Sequence, residues 1–303
     1  MIAFPGKDRR EIVAIYQNNV YQYNLARKSA TVALKDIAFS PNAVTCGHGY
    51  LAVGGQRSQV IIRQLGSNWV AQTAVGGAIN NSLLLHKHQN DQVRLLVCNN
   101  DQSLKVFSVP NMNLLSTLSF SHAVNNVGVS PDGSLMAVVG DSSQVLVHSI
   151  TSSGEYKRIG ALTAVKDAAF SCSWDSSSTR FAVACQDGYV CVWDIRHLGR
   201  KLAQIPSFQR SQKGACRVVK FSQTNSVDLL VFSEHTTYFN IVDARAFDVQ
   251  QSVRVAPAGV DLHLSGLAFS PDSDSVFVGV EQGILEYPID LMSRRCFPTG
   301  SLI

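Results

Sequence analysis

A chain of 303 residues, 46% hydrophobic and 16% charged, holds enough apolar mass for a sizeable core and too much for intrinsic disorder. Its net charge of +4 is too mild to mark a nucleic-acid binder, no apolar run reaches the roughly 18–20 residues of a membrane span, and the start MIAFPGKDRREIV lacks the apolar stretch of a secretory signal. Seven cysteines without a CxxC pair fit reduced, buried thiols better than a disulfide framework, so a soluble intracellular protein, cytoplasmic or nuclear, is expected.

Capped amphipathic helices are scarce, whereas short β-branched and aromatic runs bounded by Asn, Asp, Gly and Ser recur throughout. In chain order, NVYQYNL, QVIIRQL, SLKVFSV, QVLVHSI, YVCVWDI, YFNIVDA and ILEYPID align on one column: Tyr23, Arg63, Phe107, His148, Trp193, Val242 and Tyr287. Their spacings of 40, 44, 41, 45, 49 and 45 residues match a unit of four short strands repeated around a propeller. Upstream, IAFSPN, VGVSPDG, AAFSCS, VKFSQT and LAFSPDS predict inner strands ending in a turn at Phe39, Val129, Phe170, Phe221 and Phe269, with LLLHKHQ in that place in the third repeat. A tight turn precedes the column strand at Arg57, Asp101, Asp141, Asp187, Thr236 and Glu281, where short polar side chains suit a hairpin. The expectation is an all-β, seven-bladed propeller forming a single domain over residues 1–303. Its first blade is partial over about 1–24, blades 2–7 cover about 25–290, and the tail 291–303 is a candidate closure strand. Only two strands are evident before LKDIAFS, so the tail or the opening MIAFP must complete the first blade or leave an exposed sheet edge.

The repeat over residues 164–195, with Phe170-Ser171, the turn at Asp187 and the pair Trp193-Asp194, resembles the WD-repeat (WD40) family. That resemblance implies four-stranded blades around a channel and a non-catalytic scaffold for protein interaction. Only this repeat keeps the Trp-Asp pair, and Gly47-His48 sits in a different part of its blade from the Gly-His of the family. GHGYLAVGGQRSQVIIRQL (47–65) and LSGLAFSPDSDSVFVGVEQGILEYPID (264–290) are similar to segments of a mostly fungal group of WD-repeat proteins. One member of that group is a substrate receptor of the yeast GID ubiquitin ligase, which implies a receptor or adaptor role in a multisubunit ligase.

Catalytic signatures such as GxGxxG, GxxxxGK, GxSxG and HExxH are absent from the sequence, so neither an enzyme nor a cofactor is expected. His86 and His88 share a strand face but find no further ligand nearby in sequence, and no metal is expected. SRRC at 293–296 follows the last strand and lacks the flanks of a phosphoinositide site. The stretch 196–217 carries six Lys or Arg and no acid. Its Arg196, Arg200, Lys201, Arg210 and Lys213 support an alternative reading as a nucleic-acid or chromatin-associated propeller, although one aromatic, Phe208, makes a poor stacking platform. The stronger candidate is a polar ring. Lys35, Asp36, Asn80, Asn81, Asn125, Asn126, Lys166, Asp167 and Arg217 stand before inner strands, and Arg57, Asp101, Asp141, Asp187, His235 and Glu281 stand in the turns. On a propeller these positions meet on one face and would bind a peptide of a partner protein. There Asp36, Asp167, Asp187 and Glu281 pair with an N-terminal ammonium, and Asn80, Asn81, Asn125 and Asn126 bond the first peptide units.

Overall fold

Segments such as Leu135–Gly140 and Arg180–Cys185 are apolar at successive positions rather than at alternate ones, the pattern of a strand buried on both faces. The computed structural model, which describes residues 2–6, 11–164, 166–209, 211–224 and 227–290, shows both faces covered. The chain forms seven antiparallel sheets, six with four strands and one with three among the described residues, set around a common axis as a seven-bladed β-propeller. In the second strand of blade 5, Phe181, Val183 and Cys185 pack with Ala137, Val139 and Val147 of blade 4. Their neighbours Ala182 and Ala184 pack with Val219, Phe221 and Leu230 of blade 6. Strand alternation thus sends successive side chains into opposite interfaces. Five further apolar layers follow the same rule, four between consecutive blades and a closing one described below. Among the described residues no helix is long and apolar enough to cross a membrane.

The aligned column falls on the third strand of every blade and faces one register position of the second strand. Tyr23 pairs with Ile12, Arg63 with Leu51, Phe107 with Leu95, His148 with Met136, Trp193 with Phe181, Val242 with Leu230 and Tyr287 with Val276. Each hairpin before it turns where the sequence predicts. At Gly188, φ is +83° and an added Cβ would stand 2.9 Å from the Ser207 hydroxyl, so the Asp187-Gly188 turn needs its glycine.

The inner strands are Ile2–Ala3, Pro41–Gly47, Asn80–Lys87, Val124–Val129, Ala169–Trp174, Val218–Phe221 and Gly266–Phe269. Three sequence expectations change here. First, blade 1 has four strands: Ile2–Ala3 pairs with Val13–Ala14, and Ser29–Leu34 forms its outer edge. The boundary at residue 24 therefore moves past 34, because residues 29–34 zip onto Val20–Asn24 instead of opening the second blade. Second, Phe39-Ser40 precedes the inner strand of blade 2 instead of ending it. Third, Phe170-Ser171 lies inside the strand of blade 5, whose closing turn is at Asp175. In blades 4, 6 and 7 the motif does end the inner strand.

The opening MIAFP, the alternative to the tail, supplies the first inner strand, and it also joins the first blade to the last. Phe4 meets Phe277 edge-on with centroids 5.5 Å apart, and Ile2 lies over Gly279, where an added Cβ would be 3.2 Å from its Cδ1. The tail 291–303 and its SRRC lie outside the described residues.

Candidate functional site

The end of each second strand lies beside the start of the inner strand: Gly55 opposite Pro41, Asn99 opposite Asn80, Gly140 opposite Val124, Cys185 opposite Ala169, Ser233 opposite Val218 and Gly279 opposite Gly266. The turns bearing Arg57, Asp101, Asp141, Asp187, His235 and Glu281 therefore stand on the same face as Lys35, Asp36, Asn80, Asn81, Asn125, Asn126, Lys166, Asp167 and Arg217. Residues up to 246 positions apart in sequence, Lys35 to Glu281, thus share one rim around the channel.

Much of that rim bonds the ring to itself. In blades 2–5 the inner strand begins with a β-bulge whose extra residue is Asn42, Asn81, Asn125 and Phe170 in turn, and a bulge re-aims its side chain out of the ladder. Asn42 donates its amide to the Asn80 carbonyl (2.9 Å), Asn81 to the Val124 carbonyl (2.9 Å), and Asn125 to the Ala169 carbonyl (3.1 Å). Each bond reaches the residue just before the next bulge, so three asparagines tie four successive blades. At the fourth place Phe170 substitutes, and the Arg217 guanidinium lies 4.1 Å over its ring, a cation–π contact in place of the amide relay. Asn42 was missed at the sequence level, although aligning PNAV, NNSL, VNNV and AFSC on the bulge position reveals the column.

The other members divide by what they touch. Asn80 is buried, donating to the Gln59 carbonyl and accepting from Asn99. Asn126 accepts from the Cys172 amide at 3.1 Å. Asn125 also donates to Asp141, and Asp101 pairs with Lys105 at 2.9 Å. The Lys35–Asp36 pair, 3.6 Å apart and largely solvated, contributes about 0–1 kcal/mol. His235 sits edge-on to His263, centroids 4.8 Å apart, while Arg57 and Glu281 are exposed. On blade 5, Asp187 accepts from the Lys166 amide at 3.3 Å, and partial burial together with the nearby Asp167 charge holds its carboxyl above the usual range. Behind His235, the side chain of Glu234 is fully buried. It accepts from the backbone amides of Phe208 (2.6 Å) and Gln209 (3.1 Å) and from the side chains of Gln209 (3.0 Å) and Asn240 (2.9 Å).

All seven inner strands line a central channel of about 570 Å³. Along Val218–Phe221, Val219 and Phe221 turn into the interface with blade 5, which leaves Val218 and Lys220 on the channel wall.

The basic stretch 196–217 is not one loop. It contains the outer strand Ala203–Pro206, which carries the chain from one face to the other, so Arg196, Arg200 and Lys201 lie at the opposite end of the blade from Lys213 and Arg217. Arg196 is spent on Asp194, Lys201 on Gln204, and Lys213 on Asp261 at 2.6 Å; Arg210 lies outside the described residues. His88 is buried with its ring 3.1 Å from the Ser152 carbonyl, and among the described residues no group of three or more His, Cys, Asp or Glu is placed to hold a metal. The six described cysteines are free thiols, five of them buried.

His86 sets a pH dependence. Burial, then the neighbouring His88, His48 and Arg94, pull it down to about 4, and its buried Nε2 has no hydrogen-bond partner. Burial lowers His48, His122, His148 and His235 as well. A folded value below the unfolded one means that the unfolded chain takes up the proton first, so stability is full above about pH 6.5 and is lost as the pH falls from there toward 4. Melting temperature should drop by several degrees between about pH 7.5 and 5. His86→Leu should flatten the profile, and a profile unchanged by that substitution would remove His86 as a contributor.

Comparison with known proteins agrees with this architecture. The profile described as "WD domain, G-beta repeat" matches residues 157–194, and that of an "Uncharacterised protein domain (DUF2415)" matches residues 214–254. "Uncharacterized protein YLR149C" of Saccharomyces cerevisiae is 27% identical over 224 residues, 62% of this chain and 30% of that protein. "Uncharacterized protein C4G3.03" of Schizosaccharomyces pombe is 30% identical over 302 residues, 95% of this chain and 86% of its own length. The chain therefore belongs to one family with the Schizosaccharomyces pombe protein C4G3.03, and it carries a WD repeat on a seven-bladed propeller.

Proposed function

We propose that the protein is a non-catalytic interaction scaffold that binds a peptide segment of a partner protein on the rim of the channel, and that it serves as a substrate receptor or adaptor of a ubiquitin ligase. The observation that carries the binding site is the pair Asp167 and Asp187 on blade 5. The two carboxylates share one charged neighbourhood, with no cationic side chain bonded to either among the described residues, and burial together with the Asp167 charge holds the Asp187 carboxyl above its usual range. An N-terminal ammonium placed between them relieves that repulsion and makes charge-assisted hydrogen bonds. A rigid rim spends little ordering entropy on its ligand. Because Asn81 and Asn125 spend their amides on the relay and Asn80 spends its own on the Gln59 carbonyl, the peptide units fall to Asn126 and the turn backbones. The ligase assignment rests on the two stretches that resemble the mostly fungal group of WD-repeat proteins in which one member is a ligase substrate receptor.

The test is affinity purification of the full chain and of Asp167→Asn and Asp187→Asn, followed by mass spectrometry and by calorimetry with the N-terminal peptide of a captured protein. Ligase subunits should be recovered with all three forms. The peptide should bind the wild type at least about tenfold more tightly than either variant, with N-acetylation abolishing the difference. Absence of ligase subunits would remove the receptor role, and equal affinity for all forms would remove the acidic pair. The divided basic stretch supplies no second reading.

A further inference from the structure

We infer that the central channel is a binding site for a small organic anion, a carboxylate or phosphate held between Arg217 and Lys220. Among the described residues that line the channel, these are the two charged side chains, and both are cations. A channel that served only to space the blades would have no need of either charge, since Val44, Leu84, Val127 and Leu267 already line it with apolar surface.

Neither cation is neutralised by another described residue. Lys220 makes no hydrogen bond or ion pair among the described residues, and burial pushes its ammonium below the ordinary value. The side chain nearest to it in charge terms is Cys172, a thiol that burial raises to about 12 and so keeps neutral. Arg217 stacks on Phe170, but its buried Nε has no acceptor, and burial lowers its value too. Glu234, next to the Ser233 whose carbonyl accepts the Arg217 backbone amide, is committed to four N–H donors, and Asp175, just past the inner strand of blade 5, is committed to Arg180 at 2.9 Å. Both side chains are half-buried, and holding unpaired charge partly out of water is costly, so Arg217 and Lys220 gain when an anion arrives to share the site.

Geometry narrows the ligand. Arg217 stands at the mouth and Lys220 three residues further along an inner strand, about 10 Å at extended rise. The channel's volume lies within the range of small-molecule pockets, and the apolar wall between the cations suits a ligand with a hydrocarbon body. This inference is independent of the acidic pair on the rim, because it concerns cations inside the channel.

The test uses the full chain with inorganic phosphate and with glutarate, each against chloride at the same ionic strength, read by calorimetry and by melting temperature. One saturable site is expected, with Tm rising by about 2 °C at tenfold excess over Kd. Lys220→Met and Arg217→Gln should each weaken binding at least about tenfold. Lys220→Met should also melt higher than the wild type without anion, because it removes a half-buried, unpaired charge, which separates loss of the site from loss of the fold. Preference for phosphate over glutarate, or the reverse, identifies the anionic group. No saturable binding of either probe, a response matched by chloride, or unchanged affinity in both variants would overturn the inference.

Discussion

Replacing Phe181 by alanine should lower the free energy of unfolding by about 3–5 kcal/mol, among the largest effects of any single substitution in this protein. Phe181 is fully buried at the interface of blades 4 and 5. Its ring is stacked on Trp193 with centroids 5.4 Å apart and is tilted against Trp174 at 5.0 Å. Alanine would remove the ring from water-free contact and leave a cavity whose walls are two indoles, one of them pinned by its N–H bond to the Gly128 carbonyl at 2.9 Å. With that wall pinned, the site collapses only in part, and the cavity contribution stays toward its upper limit. A closed ring adds a second consequence, for a blade that loosens weakens both of its neighbours. Urea-induced unfolding followed by tryptophan fluorescence measures the loss, with Val249→Ala, at a side chain 63% exposed, expected within about 0.5 kcal/mol of wild type. A Phe181→Ala midpoint indistinguishable from that control would mean that the aromatic cluster contributes little to holding the ring together.

The same cluster explains what could be read from the sequence. Second strands are largely buried on both faces in all seven blades, as are the third strands of blades 2–6, and the two pair in one register throughout, so their apolar runs and the column from Tyr23 to Tyr287 carry the fold class directly. Inner strands carry less information, because one face lines a channel and tolerates either polarity. Phe39-Ser40 and Phe170-Ser171 thus lie out of step with the same motif in blades 4, 6 and 7. The first inner strand, two residues long, is too short for any periodicity and is stabilised by its long-range contacts with Val13, Ala14 and Phe277. At the rim, residue type was legible but role was not. An asparagine that ties one blade to the next and one that offers its amide to a ligand look alike until the bulge register is known. Lys220 escaped for a related reason: its significance lies in the lack of a counter-charge among the described residues that line the channel, which no local stretch displays.

Glu234 escaped beside His235, and replacing it should produce the other large effect. Its buried carboxyl group gathers four N–H donors from three residues, two on the chain that leads from blade 5 into blade 6 and one on the neighbouring third strand. Glu234→Ala would leave the Asn240 side chain, itself fully buried, short of an acceptor, while the Phe208 and Gln209 amides could recover water only by swinging their segment outward. A buried donor left without a partner costs about 1–3 kcal/mol, and with part of the set rehydrated the total loss should be roughly 2–4 kcal/mol. Glu234→Gln turns an NH2 group toward donors, so it should lose stability as well, whereas a purely space-filling role would be preserved by that substitution. Hydrogen exchange supplies the local readout: the Phe208 and Gln209 amides should exchange at least about tenfold faster in both variants, with the Phe181 and Val183 amides changed far less. The segment they hold carries Lys213 to its pairing with Asp261 and abuts the mouth beside Arg217. Protection at Phe208 and Gln209 that survives both substitutions would show that this edge of the rim is held by something other than the carboxyl group of Glu234.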